Sequence, residues 1–279
     1  MADGAENRIP NVLSIAGVDP SGGAGLLADV KAMSACGTYA CGVVTALTAQ
    51  NTKGVDGIFD VTPDFVREQL ETLFADVRVD AVKIGMLNNA GVAVAVAESL
   101  ERHRPGFVVL DPVMVAKSMD RLLAPAAVDV LKTRLLPLAN LITPNVPECA
   151  DLLGISESEV LADLEGSARS LWRLMGRRDG WVLLKGGHVP GKDATDLLLS
   201  GNVVVQFPAE RIETKNTHGT GCTLSSAIAA RYAVRGDMLA AVKEAKDYIT
   251  GAIRHASELS VGHGCGPTHH FWSTWVSVK

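Results

Sequence analysis

The decapeptide Asn216-Thr217-His218-Gly219-Thr220-Gly221-Cys222-Thr223-Leu224-Ser225 joins a polar loop to an alanine-rich stretch, Ala227 to Val234. Two glycines at a loop-to-helix joint leave backbone N–H groups unpaired at the positive end of a helix dipole, and such a turn holds an anion. Cys222 falls in the first turn, where a thiol is expected to lose its proton more readily than in water. An anion hole beside an activated side chain is the equipment of group transfer.

Further polar residues stand directly after apolar runs. Asp111 follows Phe107-Val108-Val109-Leu110, Asn145 and Glu148 follow Leu141-Ile142-Thr143, and Lys185 follows Trp181-Val182-Leu183-Leu184. Mg²⁺ keeps several waters and takes one or two carboxylates plus substrate phosphates, a pattern that Asp111 and Glu148 fit together. Taken singly, each is equally well a helix cap or a first-turn acid. Lys185, ahead of Gly186-Gly187-His188, is suited to a nucleotide phosphate, although a lysine at a sheet rim is often only solvated. Gln50 ends another apolar run, and its amide can pair with a ring nitrogen and an amino group at once. Ordinary turn chemistry would also account for it. Asp29 is either a solvated helical acid or, one turn beyond a strand-end loop, a group facing the same crevice.

Other chemistries are excluded. Gly23-Ala24-Gly25-Leu26-Leu27-Ala28 matches the dinucleotide pattern G-x-G-x-x-A, but no Asp or Glu occurs between Asp29 and Asp56 to bind a ribose. No G-x-x-x-x-G-K-[ST] occurs. His263, Cys265, His269 and His270 match no structural zinc spacing, and a loose histidine-containing tail is expected there.

The elements that must position these groups follow from hydrophobic periodicity. Short apolar runs at Val12–Ala16, Cys41–Leu47, Val79–Ile84, Phe107–Leu110, Leu141–Thr143 and Trp181–Leu184 predict strands. Val55–Val61 reads as an edge strand, and Thr195–Leu199 with Val203–Phe207 reads as a hairpin. Helices are predicted from Leu26 to Gly37, from a Thr62-Pro63 cap to Phe74, and over Gly91–Leu100, Pro125–Leu135, Leu161–Met175, Cys222–Arg235 and Met238–Glu258. This alternation predicts an α/β fold with a largely parallel central sheet covered by helices on both faces. Ligands of such sheets bind at the carboxyl ends of the strands, where the polar residues cluster.

The 279 residues, 47% of them hydrophobic, suit one large domain over residues 11–279 after a loose leader at 1–10. A net charge of -5 without a basic stripe argues against nucleic acid or an anionic membrane as partner. Five scattered cysteines, no signal core and no run near the roughly 18 apolar residues of a spanning helix read as a reduced, cytoplasmic protein. Apolar residues at Val55–Phe59 permit a homodimer.

Together the motifs resemble the hydroxymethylpyrimidine/phosphomethylpyrimidine kinases of thiamine biosynthesis, members of the ribokinase-like superfamily. The resemblance runs from about Val12 to Phe271. It rests on Ala16-Gly17 to Gly25, Ala49-Gln50-Asn51, Lys83-Ile84-Gly85-Met86-Leu87, Asp111-Pro112-Val113-Met114, Thr143-Pro144-Asn145, Lys185-Gly186-Gly187-His188 and Asn216–Ser225. It implies ATP- and Mg²⁺-dependent phosphorylation of 4-amino-5-hydroxymethyl-2-methylpyrimidine, then of its monophosphate. It further implies that Gly17, Asp29, Gln50, Met86 and Val113 line the pyrimidine pocket. Cys222 stands where related sugar kinases carry an Asp base, beside Gly219, Thr220 and Gly221, while Asn145, Glu148, Lys185 and Thr217 serve the nucleotide and its metal. Val18 and Met119 depart from the family's usual Ser/Thr and Gly, and Cys265 is foreign to its usual Gly-Pro-x-His-His tail. A pyridoxal/pyridoxine kinase is the alternative enzyme, and a catalytically inactive pyrimidine-binding regulator is the alternative of another class.

Overall fold

The structure, a computed structural model, describes residues 8–114, 125–189 and 191–275. Its strands are β1 (Asn11–Val18), β2 (Tyr39–Asn51), β3 (Gly54–Asp60), β4 (Ala81–Ile84), β5 (Val108–Leu110), β6 (Leu141–Ile142), β7 (Trp181–Leu184), β8 (Asp196–Ser200) and β9 (Val203–Phe207). They form one sheet in the order β3-β2-β1-β4-β5-β6-β7-β8-β9. The strands from β2 through β7 in that order pair in parallel. The β2–β3, β7–β8 and β8–β9 pairs are antiparallel and flank the parallel centre. The predicted edge strand and hairpin are therefore both present.

Alternation along the strands sends side chains to two separate cores. Leu13, Ile15, Val82, Ile84, Val108 and Leu110 enter the first. There they meet α2 (Pro63–Asp76), α3 (Ala90–His103), α5 (Val146–Leu153), α6 (Glu157–Ala162) and α7 (Leu164–Leu174), with α4 (Pro125–Val130) lying between α3 and α5 in the chain. Val12, Ala81, Val109, Leu141 and Leu183 enter the second, against α1 (Gly25–Ala35), α8 (Thr220–Arg235) and α9 (Met238–Arg254). The central parallel strands are thus apolar on both faces, as the continuous runs predict.

Several boundaries differ from expectation. The helix predicted over Leu161–Met175 is two helices, because the Asp163 carboxylate accepts from Gly166 N–H and starts a new one. An unpredicted α5 begins where Asn145 and Glu148 form a reciprocal capping box. Gln50 lies within β2, not beyond it. At the amino end, the Pro10 carbonyl accepts from Tyr39 N–H at 2.9 Å, so the sheet already claims the last residue assigned to the leader. Residues 1–7 and the Lys117–Asp120 loop with Met119 lie outside the described residues. The carboxyl-terminal segment is not loose: Thr268, His269 and His270 are buried, and the Thr223 hydroxyl and His270 Nε2 are 3.0 Å apart. Among the described residues, no helix is long and apolar enough to cross a membrane.

Candidate active site

The parallel strands share one direction, so their carboxyl ends open on one rim. The chain turns from β1 to β2 on one side and to β4 on the other, which leaves a crevice at the end of β1. A cleft of about 1440 Å³ occupies this rim. Gly17, Gln50, Met86 and Val113 line it, as do Asp111, Asn145, Glu148, Lys185, Thr217, Gly219, Thr220, Gly221 and Cys222. Gly17 closes directly on Met86, whose Sδ would lie 3.2 Å from a Cβ added at the glycine.

Asp29 is the exception. It is completely buried on α1, and both of its oxygens are held by Lys83 Nζ, at 2.9 and 2.8 Å. Ser14 and Ser226 hydroxyls also donate to it, at 2.6 and 2.8 Å. The expectation that Asp29 lines the pocket is corrected: its carboxylate joins β1, β4 and α8 beneath the cleft. Lys83 is the residue of this cluster that reaches the cleft wall. A lone lysine inside the apolar run Ala81-Val82-Lys83-Ile84 was the signal for it, because such a cation requires a buried counter-charge.

Helix α8 begins at the central glycine turn with no side chain capping its amino terminus. Gly219 takes φ +75°, and a Cβ there would lie 1.8 Å from the Gly23 carbonyl oxygen. Only glycine permits this crossing of the two glycine loops. The crossing is also held by Asp19, whose Oδ2 accepts from His218 Nε2 at 2.7 Å. Ser21 and Ala24 N–H groups donate to the same carboxylate, at 2.8 and 3.0 Å. Burial opposes ionisation of Asp19, yet His218 and Ser21 together hold its carboxyl below the usual range. Neither Asp19 nor His218 was assigned a role from the sequence, since their partnership spans 199 positions.

Cys222 does not have the eased ionisation expected of it. Burial pushes its thiol up to about 11, with Asp29 and Asp111 adding to the rise. Lys83 and the Gly25 N–H, which donates toward the sulfur, pull the other way without prevailing. Desolvation here outweighs the helix terminus.

At the far wall, Asp111 Oδ1 accepts from Thr143 Oγ1 and Lys185 Nζ, each at 3.0 Å, and Oδ2 accepts from Ser225 at 3.2 Å. Glu148 Oε2 lies 3.7 Å from the same ammonium. Burial and the charge of Asp111 push the Glu148 carboxyl up to about 7, against the pull of Lys185 and the Asn145 N–H. The helix-cap reading of Asn145 and Glu148 is borne out, and the same capping box places the carboxylate at the cleft. Among the described residues, no group of three or more His, Cys, Asp or Glu could form an all-protein metal cage.

Known proteins are similar to this chain over nearly its whole length. The hydroxymethylpyrimidine/phosphomethylpyrimidine kinase of Escherichia coli K12 is 49% identical over 265 residues, covering 95% of this chain and 98% of that protein. The crystal structure of phosphomethylpyrimidine kinase from Clostridium difficile 630 matches with TM-score 0.75 at 39% identity, over 88% of this chain and all of that one. An ADP complex of Bacillus subtilis pyridoxal kinase matches with TM-score 0.85 at 32% identity, over 95% and 98% of the two chains. The phosphomethylpyrimidine kinase family itself is matched across residues 19–269, from the first glycine loop to the buried histidines of the carboxyl terminus, and the chain belongs to that family.

Proposed function

We propose that the protein transfers the γ-phosphoryl group of ATP to the hydroxymethyl group of 4-amino-5-hydroxymethyl-2-methylpyrimidine, and then to the resulting monophosphate. The observation that carries this reading is the meeting of two unlike walls in one cleft. Gly17, Gln50, Met86 and Val113 make a narrow wall for a flat polar ring, and the uncapped start of α8 faces the Asp111–Lys185–Glu148 cluster. Phosphoryl transfer requires chiefly positioning and neutralisation of charge. The Gly219, Thr220 and Gly221 backbone would receive the γ-phosphate, with Thr217 and Asn145 beside the nucleotide.

The Cys222 thiol keeps its proton at neutral pH, which supports a role in orienting the acceptor hydroxyl over one as a free thiolate. Two carboxylates share one ammonium. This donor set fits Mg²⁺ held by Asp111 and Glu148, together with waters and phosphate oxygens. The chemistry it would supply is neutralisation of the phosphates.

The pyridoxal/pyridoxine alternative draws on the match to a pyridoxal kinase fold. A pyrimidine-binding regulator without catalysis would need neither the Asp111/Glu148 pair nor the open helix start. Incubation with ATP and Mg²⁺ against hydroxymethylpyrimidine, its monophosphate, pyridoxine and pyridoxal decides among the three. Turnover of both pyrimidines is expected, and its absence would sink the proposal. For assembly we propose a homodimer through the sheet edge, where Leu47, Ile58 and Phe59 are exposed on β2 and β3. Sedimentation of Phe59→Glu as a monomer beside a wild-type dimer is the expected result.

A further inference from the structure

His218 touches two separate segments at the cleft rim. Its ring Nε2 donates to Asp19 on the first glycine loop, and its Cδ2 would lie 2.4 Å from a Cβ added at Gly23. Its backbone N–H donates to the Gly266 carbonyl at 3.0 Å. The segment around Gly266 is in turn fixed to the tip of the β2–β3 hairpin. There Gly264 N–H donates to Thr52 Oγ1 at 3.0 Å, and Cys265 N–H donates to the Thr52 carbonyl at 2.8 Å. Gln50 lies two residues before Thr52 in the same hairpin.

On the other side, Asp19 accepts from Ala24 N–H, immediately before α1. The next residue, Gly25, directs its N–H to Cys222 in the first turn of α8. The pair is almost fully shielded from solvent, with 11% of the His218 side chain and 3% of the Asp19 side chain exposed. A charge-assisted hydrogen bond in that setting is short and strongly directional. It lies one residue from Gly219, whose left-handed backbone has no freedom to adjust against Gly23.

We propose that Asp19 and His218 act as one positioning pair for phosphoryl transfer. They dock the phosphate-binding turn onto the first glycine loop, so that the Gly219–Gly221 amides and the Cys222 sulfur take up working positions together. This rests on the kinase reading for its kinetic consequences, but the docking itself also governs nucleotide affinity. His218 belongs to the phosphate-binding turn itself, so its loss should fall first on the nucleotide and on the chemical step. Displacement of reacting groups by about an ångström costs on the order of 100-fold in rate.

The test is a double-mutant cycle on Asp19→Ala and His218→Leu, with His218→Gln as the conservative variant that retains an N–H donor. Each single variant should lose about 100-fold in kcat. ADP, titrated calorimetrically, should bind about tenfold more weakly, while the KM for the pyrimidine stays within about threefold. The double variant should be no worse than either single one, because the pair acts as a unit. His218→Gln should recover most of the loss. Should His218→Leu fail to fold, the cycle is run with Asp19→Asn and His218→Gln, for which smaller but equally non-additive losses are expected. Wild-type ADP affinity and kcat in the single variants would overturn the inference. So would strictly additive losses, or losses that track the fall in Tm with an equal rise in the pyrimidine KM. A wild-type enzyme inert toward pyrimidines would remove the functional reading alone, because the ADP titrations test the pair independently.

Discussion

Lys83 and Asp29 form a completely buried ion pair, with the ammonium of one 2.8 Å from the nearer carboxylate oxygen of the other. Burial alone would lower the ionisation of Lys83, but the adjacent Asp29 carboxylate holds its ammonium above the ordinary range. Removing one partner leaves an unpaired charge in the interior. Lys83→Met should therefore destabilise the fold by about 3–5 kcal/mol. Lys83→Met combined with Asp29→Asn should recover much of that, as measured by urea unfolding at neutral pH. A double variant less stable than the single one would contradict this assignment.

The thiol of Cys222 gives a second expectation. With its ionisation pushed up to about 11, roughly one thiol in a thousand is ionised at pH 8. Alkylation of Cys222 by iodoacetamide, followed by peptide mass spectrometry, should be slow at pH 8 and should rise about tenfold per pH unit toward pH 10. Cys222→Ala should lower kcat by about 100-fold while leaving ADP affinity intact. Full activity in that variant would leave the kinase assignment standing and remove Cys222 from the reaction.

Glu148 makes stability depend on pH. Its carboxyl rises from 4.5 to about 7, chiefly through burial and also through Asp111. Between those two values the folded protein retains a proton that the unfolded chain has released. The contribution to stability is therefore full below the unfolded value and is lost as pH climbs through the folded one. Chemical denaturation at about pH 5 and about pH 7.5 should show this decline, and Glu148→Gln should flatten it. The same variant should weaken the response of turnover to Mg²⁺.

Gly219→Ala tests the crossing of the glycine loops. The added Cβ would meet the Gly23 carbonyl at 1.8 Å in a backbone conformation that L residues rarely adopt. A loss of about 1–3 kcal/mol in stability is expected. The loss of activity should exceed what the Tm shift explains, because the displaced amides are those proposed to receive phosphate. A variant with normal kcat would show that the turn does not act on the phosphoryl group.

Much of this protein is legible in its sequence for a local reason. Strands buried on both faces must be apolar throughout, and helices announce themselves by caps such as Thr62-Pro63, whose hydroxyl accepts from Phe65 N–H. The polar residue after each strand then falls on one rim because parallel strands end together. Asp111, Asn145, Glu148 and Lys185 were found in this way, and Gly219–Cys222 as a glycine turn entering a helix; the cleft contains all of them.

What only the tertiary structure decided is which charges meet. Asp29 and Lys83 stand 54 positions apart, Asp19 and His218 stand 199 apart, and Ser225 reaches Asp111 across 114. No periodicity encodes such pairs, because each depends on the stacking of α1 and α8 against the same face of the sheet. The Cys222 thiol teaches the same point. A helix start favours the thiolate, but burial among neighbouring elements pushes its ionisation the other way. Local sequence sets the dipole, but burial and distant charges determine the proton.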